Sequence, residues 1–113
     1  MIDQIHTTDE TPIACTLSGS EMAERGDEVS ALFNEVEQVR ELDDGYEFRF
    51  SGSDAVAGRL LEFTLAERRC CPFFTFELVL EPNLGPIWVR LRGSAAIKEF
   101  VASAWGDIIA AHA

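Results

Sequence analysis

The sequence predicts an α+β domain, an antiparallel sheet of about five strands in the order β-α-ββ-α-ββ-α, with three helices in a two-layer arrangement. Three observations predict it. Two stretches alternate in side-chain polarity, as half-buried strands do: Tyr46, Phe48 and Phe50 against Glu47 and Arg49, and Phe74, Phe76, Leu78 and Leu80 against Thr75, Glu77 and Glu81. Turn signals at Asp43-Asp44-Gly45 and at Glu81-Pro82-Asn83-Leu84-Gly85-Pro86 make hairpins of these strands and their neighbours. Helical stripes separate the hairpins, the clearest being Ile97, Phe100, Val101, Ala104 and Ile108. Strands that return on themselves between helices form an antiparallel sheet with its helices on one face.

The elements follow in order. Residues 1–11 are polar and unpatterned and read as a mobile tail, leaving 12–113 as a single domain. Pro12 to Leu17 is short, apolar and β-leaning, suited to an edge strand that begins at a proline. Ser18 with Glu21 is a capping-box signature for a helix that buries Met22, Val29, Leu32 and Phe33. Glu35 to Leu42 suits either a helix or a bulged strand, because Val36, Val39 and Leu42 recur every three residues; the turn at Gly45 favours the hairpin. That turn calls for a left-handed glycine. Ser53 or Asp54 caps the next helix, which carries Val56, Leu60, Leu61, Phe63 and Leu65. Pro72 disfavours helical geometry at Cys71, so this helix ends near Cys70. Ile87, Val89 and Leu91 alternate with Trp88, Arg90 and Arg92 and pair with the strand before them, setting Glu77 beside Arg90 or Arg92. Ser94 caps the last helix.

Composition narrows the function. A chain of 113 residues with 47 % apolar residues and eight Phe can fold around one core without staples. No apolar run reaches the length of a membrane span, and Met1-Ile2-Asp3-Gln4 has no export signature, so a cytoplasmic protein with no membrane partner is expected. The net charge of −11 argues against a nucleic-acid partner. It is unevenly spread: residues 1–47 hold 13 acids and two bases, whereas 48–113 hold seven of each. The acidic half reads as a solubilising face, or as a docking face for a basic partner. Gly19, Gly52, Gly85 and Gly93 are isolated and make no phosphate loop, so neither nucleotide nor flavin is expected.

The cysteines are the chemical feature. Three is an odd number, so they cannot all pair within the chain. Cys70 and Cys71 are adjacent at a helix C-terminus, and Cys15 stands far upstream. A thioredoxin-type pair needs two intervening residues and a helix N-terminus. An adjacent disulfide is strained, since neighbouring Cα atoms lie about 3.8 Å apart and disulfides prefer about 4.4–6.8 Å. Structural zinc fits less well, because it wants four ligands and would have to recruit His6 or an acid. Soft ions such as mercury or trivalent arsenic accept two or three thiolates and match the count. Three small buried hydrophobes are the other reading of the same residues.

The segment Glu67-Arg68-Arg69-Cys70-Cys71-Pro72-Phe73-Phe74-Thr75-Phe76 resembles the E-R-x-C-C-P-F-x-x-F motif of a small uncharacterised bacterial family. Ile13-Ala14-Cys15-Thr16-Leu17, Asp44-Gly45-Tyr46 and Gly85-Pro86-Ile87-Trp88 fit the same pattern. The family is associated with mercury and arsenic resistance settings, and the resemblance implies soft-metal handling. The expected function is thiol-based binding or sequestration of mercuric ion or arsenite. Cys70 and Cys71 would be primary ligands and Cys15 the third, with Arg68 and Arg69 favouring the thiolates and Phe73 and Phe74 shielding them from water. Two other classes remain: an acidic interaction module that docks or forms a homodimer and has buried structural cysteines, and a thiol-dependent redox or lyase enzyme with Glu67 as the nearest general acid.

Overall fold

The computed structural model describes residues 19–113, with side chains from residue 26 onward. Its elements are α1 (Gly19–Phe33), β1 (Gln38–Leu42), β2 (Gly45–Phe50), α2 (Asp54–Cys70), β3 (Thr75–Leu80), β4 (Ile87–Arg92), α3 (Ala95–Ala104) and α4 (Gly106–His112). The α+β class holds. The described sheet has four strands, all antiparallel, in the order β1-β2-β4-β3. The expected first strand over 12–17, the tail before it, Ser18 and the Met22 side chain fall outside the described residues.

Two expectations are corrected. The last helix is two helices, giving four among the described residues where three were expected. Trp105 leaves helical geometry (φ −115°, ψ 25°), although its N–H still bonds the Val101 carbonyl at 3.0 Å. Trp105 is buried, and the break lets its ring meet Phe33, Phe48 and Phe74. The second correction is at Gly45. Among the described residues no glycine has positive φ. Gly45 is needed for space instead, because a Cβ there would run into the Leu91 carbonyl on β4.

The hairpins have the expected pairing. β3 and β4 align Glu77 with Arg90, and β2 and β4 align Phe48 with Val89. Residues 38–42 are strand, because the turn at 43–44 returns the chain along β2. Ser53 caps α2, accepting from the Val56 N–H at 3.1 Å, and Ser94 caps α3, accepting from the Ile97 N–H at 3.3 Å. Such a cap is worth about 1 kcal/mol.

Alternation along the strands divides the sheet into two unlike faces. Val39, Phe48, Phe50, Val89 and Leu91 point into the core. There Phe33 of α1 sits edge-on to Phe48 and Phe50, with ring centres 5.1 and 5.4 Å away, and meets Phe63 of α2 at 5.2 Å. α3 packs on β2 and β4, α4 on β1, and α1 on α2. Across the opposite face, Arg40, Glu47, Arg90 and Glu77 stand in one row, one from each strand. Glu47 accepts from Arg90 at 2.8 Å and from Arg40 at 3.5 Å. Arg90 and Arg92 reach Glu77 at 3.6 and 2.8 Å. Arg40 also lies over the Trp88 ring at 4.4 Å. Beneath these guanidiniums Glu47 is buried, which strand alternation alone does not anticipate.

Candidate functional site

The vicinal cysteines sit where α2 ends. Val56, Leu60, Phe63, Glu67 and Cys70 form the buried stripe of α2, at helical spacing. The helix stops because Pro72 excludes helical geometry from Cys71, whose φ and ψ are −129° and 76°. The Cys71 N–H still bonds the Glu67 carbonyl at 2.6 Å, so the chain turns inward and both cysteines are buried, Cys70 at 4 % and Cys71 at 6 % exposure. The Sγ atoms of Cys70 and Cys71 are 3.5 Å apart.

Both cysteines line a cavity of about 670 Å³. Its walls include Phe33 and Asn34 at the end of α1, Phe100 of α3, Trp105, and the buried Glu67. Glu67, Cys70 and Cys71 reach it together because i, i+3 and i+4 share one helix face. That part of the site is readable from the spacing E-x-x-C-C. The contributions of α1 and of the α3–α4 break are not, because they arrive from distant parts of the chain.

The other expected residues are placed as follows. Cys15 lies outside the described residues. Phe73 and Phe74 are buried, their ring centres 4.8 Å apart, and both pack on Phe100, a wall of the cavity. Arg68 and Arg69 are exposed and line two other grooves, Arg68 beside Pro72 and Phe76, Arg69 beside Glu28 and Glu62. Neither lines the cysteine cavity. The carbonyl end of α2 is electronegative and disfavours a thiolate.

Cys70 carries a disulfide. Cys71 is not its partner, since a separation of 3.5 Å far exceeds a bond. The expectation of three reduced thiols therefore describes a different redox form of this site. Among the described residues, no three His, Cys, Asp or Glu side chains gather as metal ligands. Nor is any described helix long and apolar enough to cross a membrane.

Fold and cavity together define a class: an open-sheet α+β domain with a buried vicinal-cysteine pair at a helix C-terminus. Compared with known proteins, the chain matches no protein-family model, no curated protein and no solved structure.

Proposed function

We propose that the reduced chain binds a thiophilic metal or metalloid, arsenite or mercuric ion, through Cys70 and Cys71, with Cys15 as the third sulfur. The observation that carries this reading is the pair of sulfurs 3.5 Å apart on the wall of a cavity. With metal–sulfur bonds of about 2.3 Å, that separation subtends an angle of about 100° at a shared ion. Such an angle suits a three-coordinate pyramid, the preference of trivalent arsenic. A linear two-coordinate mercuric ion would need its sulfurs about 4.6 Å apart on the same bond length, so mercury requires the pair to open or a third thiolate to join. Phe73, Phe74 and Phe100 would keep water from the ion, and slow exchange with water favours sequestration over catalysis. The resemblance to a family from mercury and arsenic resistance settings supports the same reading. The disulfide at Cys70 must be reduced first, which fits a cytoplasmic setting.

That disulfide favours a second reading, thiol–disulfide exchange. The Cys71 thiolate would attack the Cys70 sulfur, and the former partner of Cys70 would leave as a thiolate. Exchange needs no added oxidant, but its product is the strained vicinal disulfide.

Native mass spectrometry of the reduced protein with one equivalent of arsenite or mercuric ion tests the first reading. One bound ion is expected, and Cys70→Ser with Cys71→Ser should abolish it. Undiminished binding by that double variant would sink the proposal. If no ion binds while Cys71→Ser shifts the reduction midpoint of the Cys70 disulfide, the exchange reading stands instead.

A further inference from the structure

Cys70 and Cys71 line a cavity, yet they are only 4 % and 6 % exposed. So little of either residue meets solvent that a reagent must displace part of the wall to line up on a sulfur. The walls supplied by the described residues are anchored unequally. α1, α2 and α3 each sink a side chain fully into the core, Phe33, Leu60 and Val101. Ser53 and Ser94 cap α2 and α3. Phe100 of α3 also packs on Phe73 and Phe74.

α4 lacks these anchors. It is seven residues long, none of them buried, and it starts at Trp105 with no side-chain cap. Two helical turns have no stability of their own in water. α4 packs on β1 and on α3, with Ile108 and Ile109 half-buried against the core. Its first turn supplies Gly106, Asp107 and Ile108 to the wall of the cysteine cavity. The joint before it is built as a pivot. Trp105 is buried, and its ring meets Phe33, Phe48 and Phe74. The next residue is Gly106, where an added Cβ would meet nothing within 4 Å. A fixed residue followed by a glycine lets a helix swing while the core stays packed.

We propose that α4 is a hinged wall of the cavity, swinging about the Trp105-Gly106 joint to admit thiol-reactive species to Cys70 and Cys71. The gate serves any thiophile, so it stands apart from the choice between metal binding and disulfide exchange. Opening at α4 exposes the half-buried surface of two isoleucines. Opening at α2 or α3 would expose Leu60 or Val101, both fully buried, at a greater loss of apolar burial. Local opening takes the segment with the fewest buried contacts.

The rate at which iodoacetamide alkylates Cys70 and Cys71 in the reduced, folded protein, mapped by mass, tests the gate. Gly26 in α1, Gly58 in α2 and Gly106 in α4 are alike: a Cβ at each would meet nothing within 4 Å, and none has positive φ. Alanine therefore fits all three and stabilises its own helix. Gly106→Ala should slow alkylation about two- to fivefold. Ala110→Gly, an exposed change inside α4, should speed it about four- to fivefold. Gly26→Ala and Gly58→Ala should leave the rate unchanged. Unchanged rates in both α4 variants overturn the proposal. So does equal slowing by Gly58→Ala and Gly106→Ala, which would mean that the sulfurs are reached by unfolding of the whole domain. Slowing by Gly26→Ala without slowing by Gly106→Ala overturns it too, because α1 would then be the wall that moves. Alkylation of the parent as fast as a free thiol would show that no gate exists. Circular dichroism checks that each variant is folded; if Ala110→Gly is not, Gly106→Ala decides.

Discussion

The two faces of the described sheet come from the same four strands yet are stabilised by different physics. On the core face, Phe48, Phe50, Val89 and Leu91 are fully buried, and Phe33 reaches Phe48 and Phe50 from α1. On the other face, one carboxylate, Glu47, is buried by its own partners, while Arg40 and Arg90 keep contact with water. The core face is held by area and shape. The outer face is held by a row of alternating charge whose worth depends on how far each member is removed from solvent. The contrast explains why a ladder of visible ion pairs is a weaker source of stability than one aromatic ring.

Substitutions can break or sharpen that contrast, and the largest effect belongs to the core. Phe33→Ala should cost about 3–5 kcal/mol, read by urea denaturation, because it leaves a cavity among three phenylalanines and Trp105. Glu47→Ala should cost about 1–3 kcal/mol, since it strips Arg90 and Arg40 of a shared acceptor. A Glu47 effect equal to that of Phe33 would erase the distinction between the faces. Arg40→Ala should cost about 1 kcal/mol through its stacking on Trp88, with a change in tryptophan fluorescence marking the exposed ring.

The smallest effect is one of pH. The Arg92 hydrogen bond, with the nearby charges of Arg92 and Arg90, holds the Glu77 carboxyl below its ordinary value of 4.5 against a smaller opposing effect of desolvation. Glu77 hydrogen bonding raises Arg92 in turn, and Glu47 raises Arg90 in the same way. A depressed folded-state value means that the folded protein binds fewer protons than the unfolded chain in that window. The contribution is therefore complete above about pH 4.5 and is lost as pH falls through the lowered value. Glu77→Gln should flatten the acid limb of stability against pH and leave stability above pH 6 less sensitive to pH than to the loss of the pair itself.

Local chemistry made much of the fold legible in the sequence. Period-two alternation placed β2, β3 and β4, and the candidate caps Ser53 or Asp54 and Ser94 marked two helix starts; Ser53 and Ser94 make the side-chain bond, each to an N–H three residues away. Pro72 marked the end of α2, again by a one-residue steric rule. What escaped depends on tertiary approach. Gly45 is glycine because Leu91 passes close to it, a contact made across 46 residues, and not because of its own φ. The Trp105 break satisfies a ring that packs on Phe33 and Phe48. Of the site, the vicinal pair and Glu67 were visible through helical spacing, whereas the cavity facing them is assembled by α1, α3 and α4. Arg68 and Arg69 adjoin the thiols in sequence, and helix geometry places them on other grooves.

The central claim is that reduced Cys70 and Cys71 share one thiophilic ion. Alkylation of the reduced, folded protein, mapped by mass, tests it most directly when run with and without one equivalent of arsenite. Protection of both Cys70 and Cys71 by arsenite, reversed by a competing dithiol, is the predicted result. Equal labelling of the pair with and without arsenite would contradict the account.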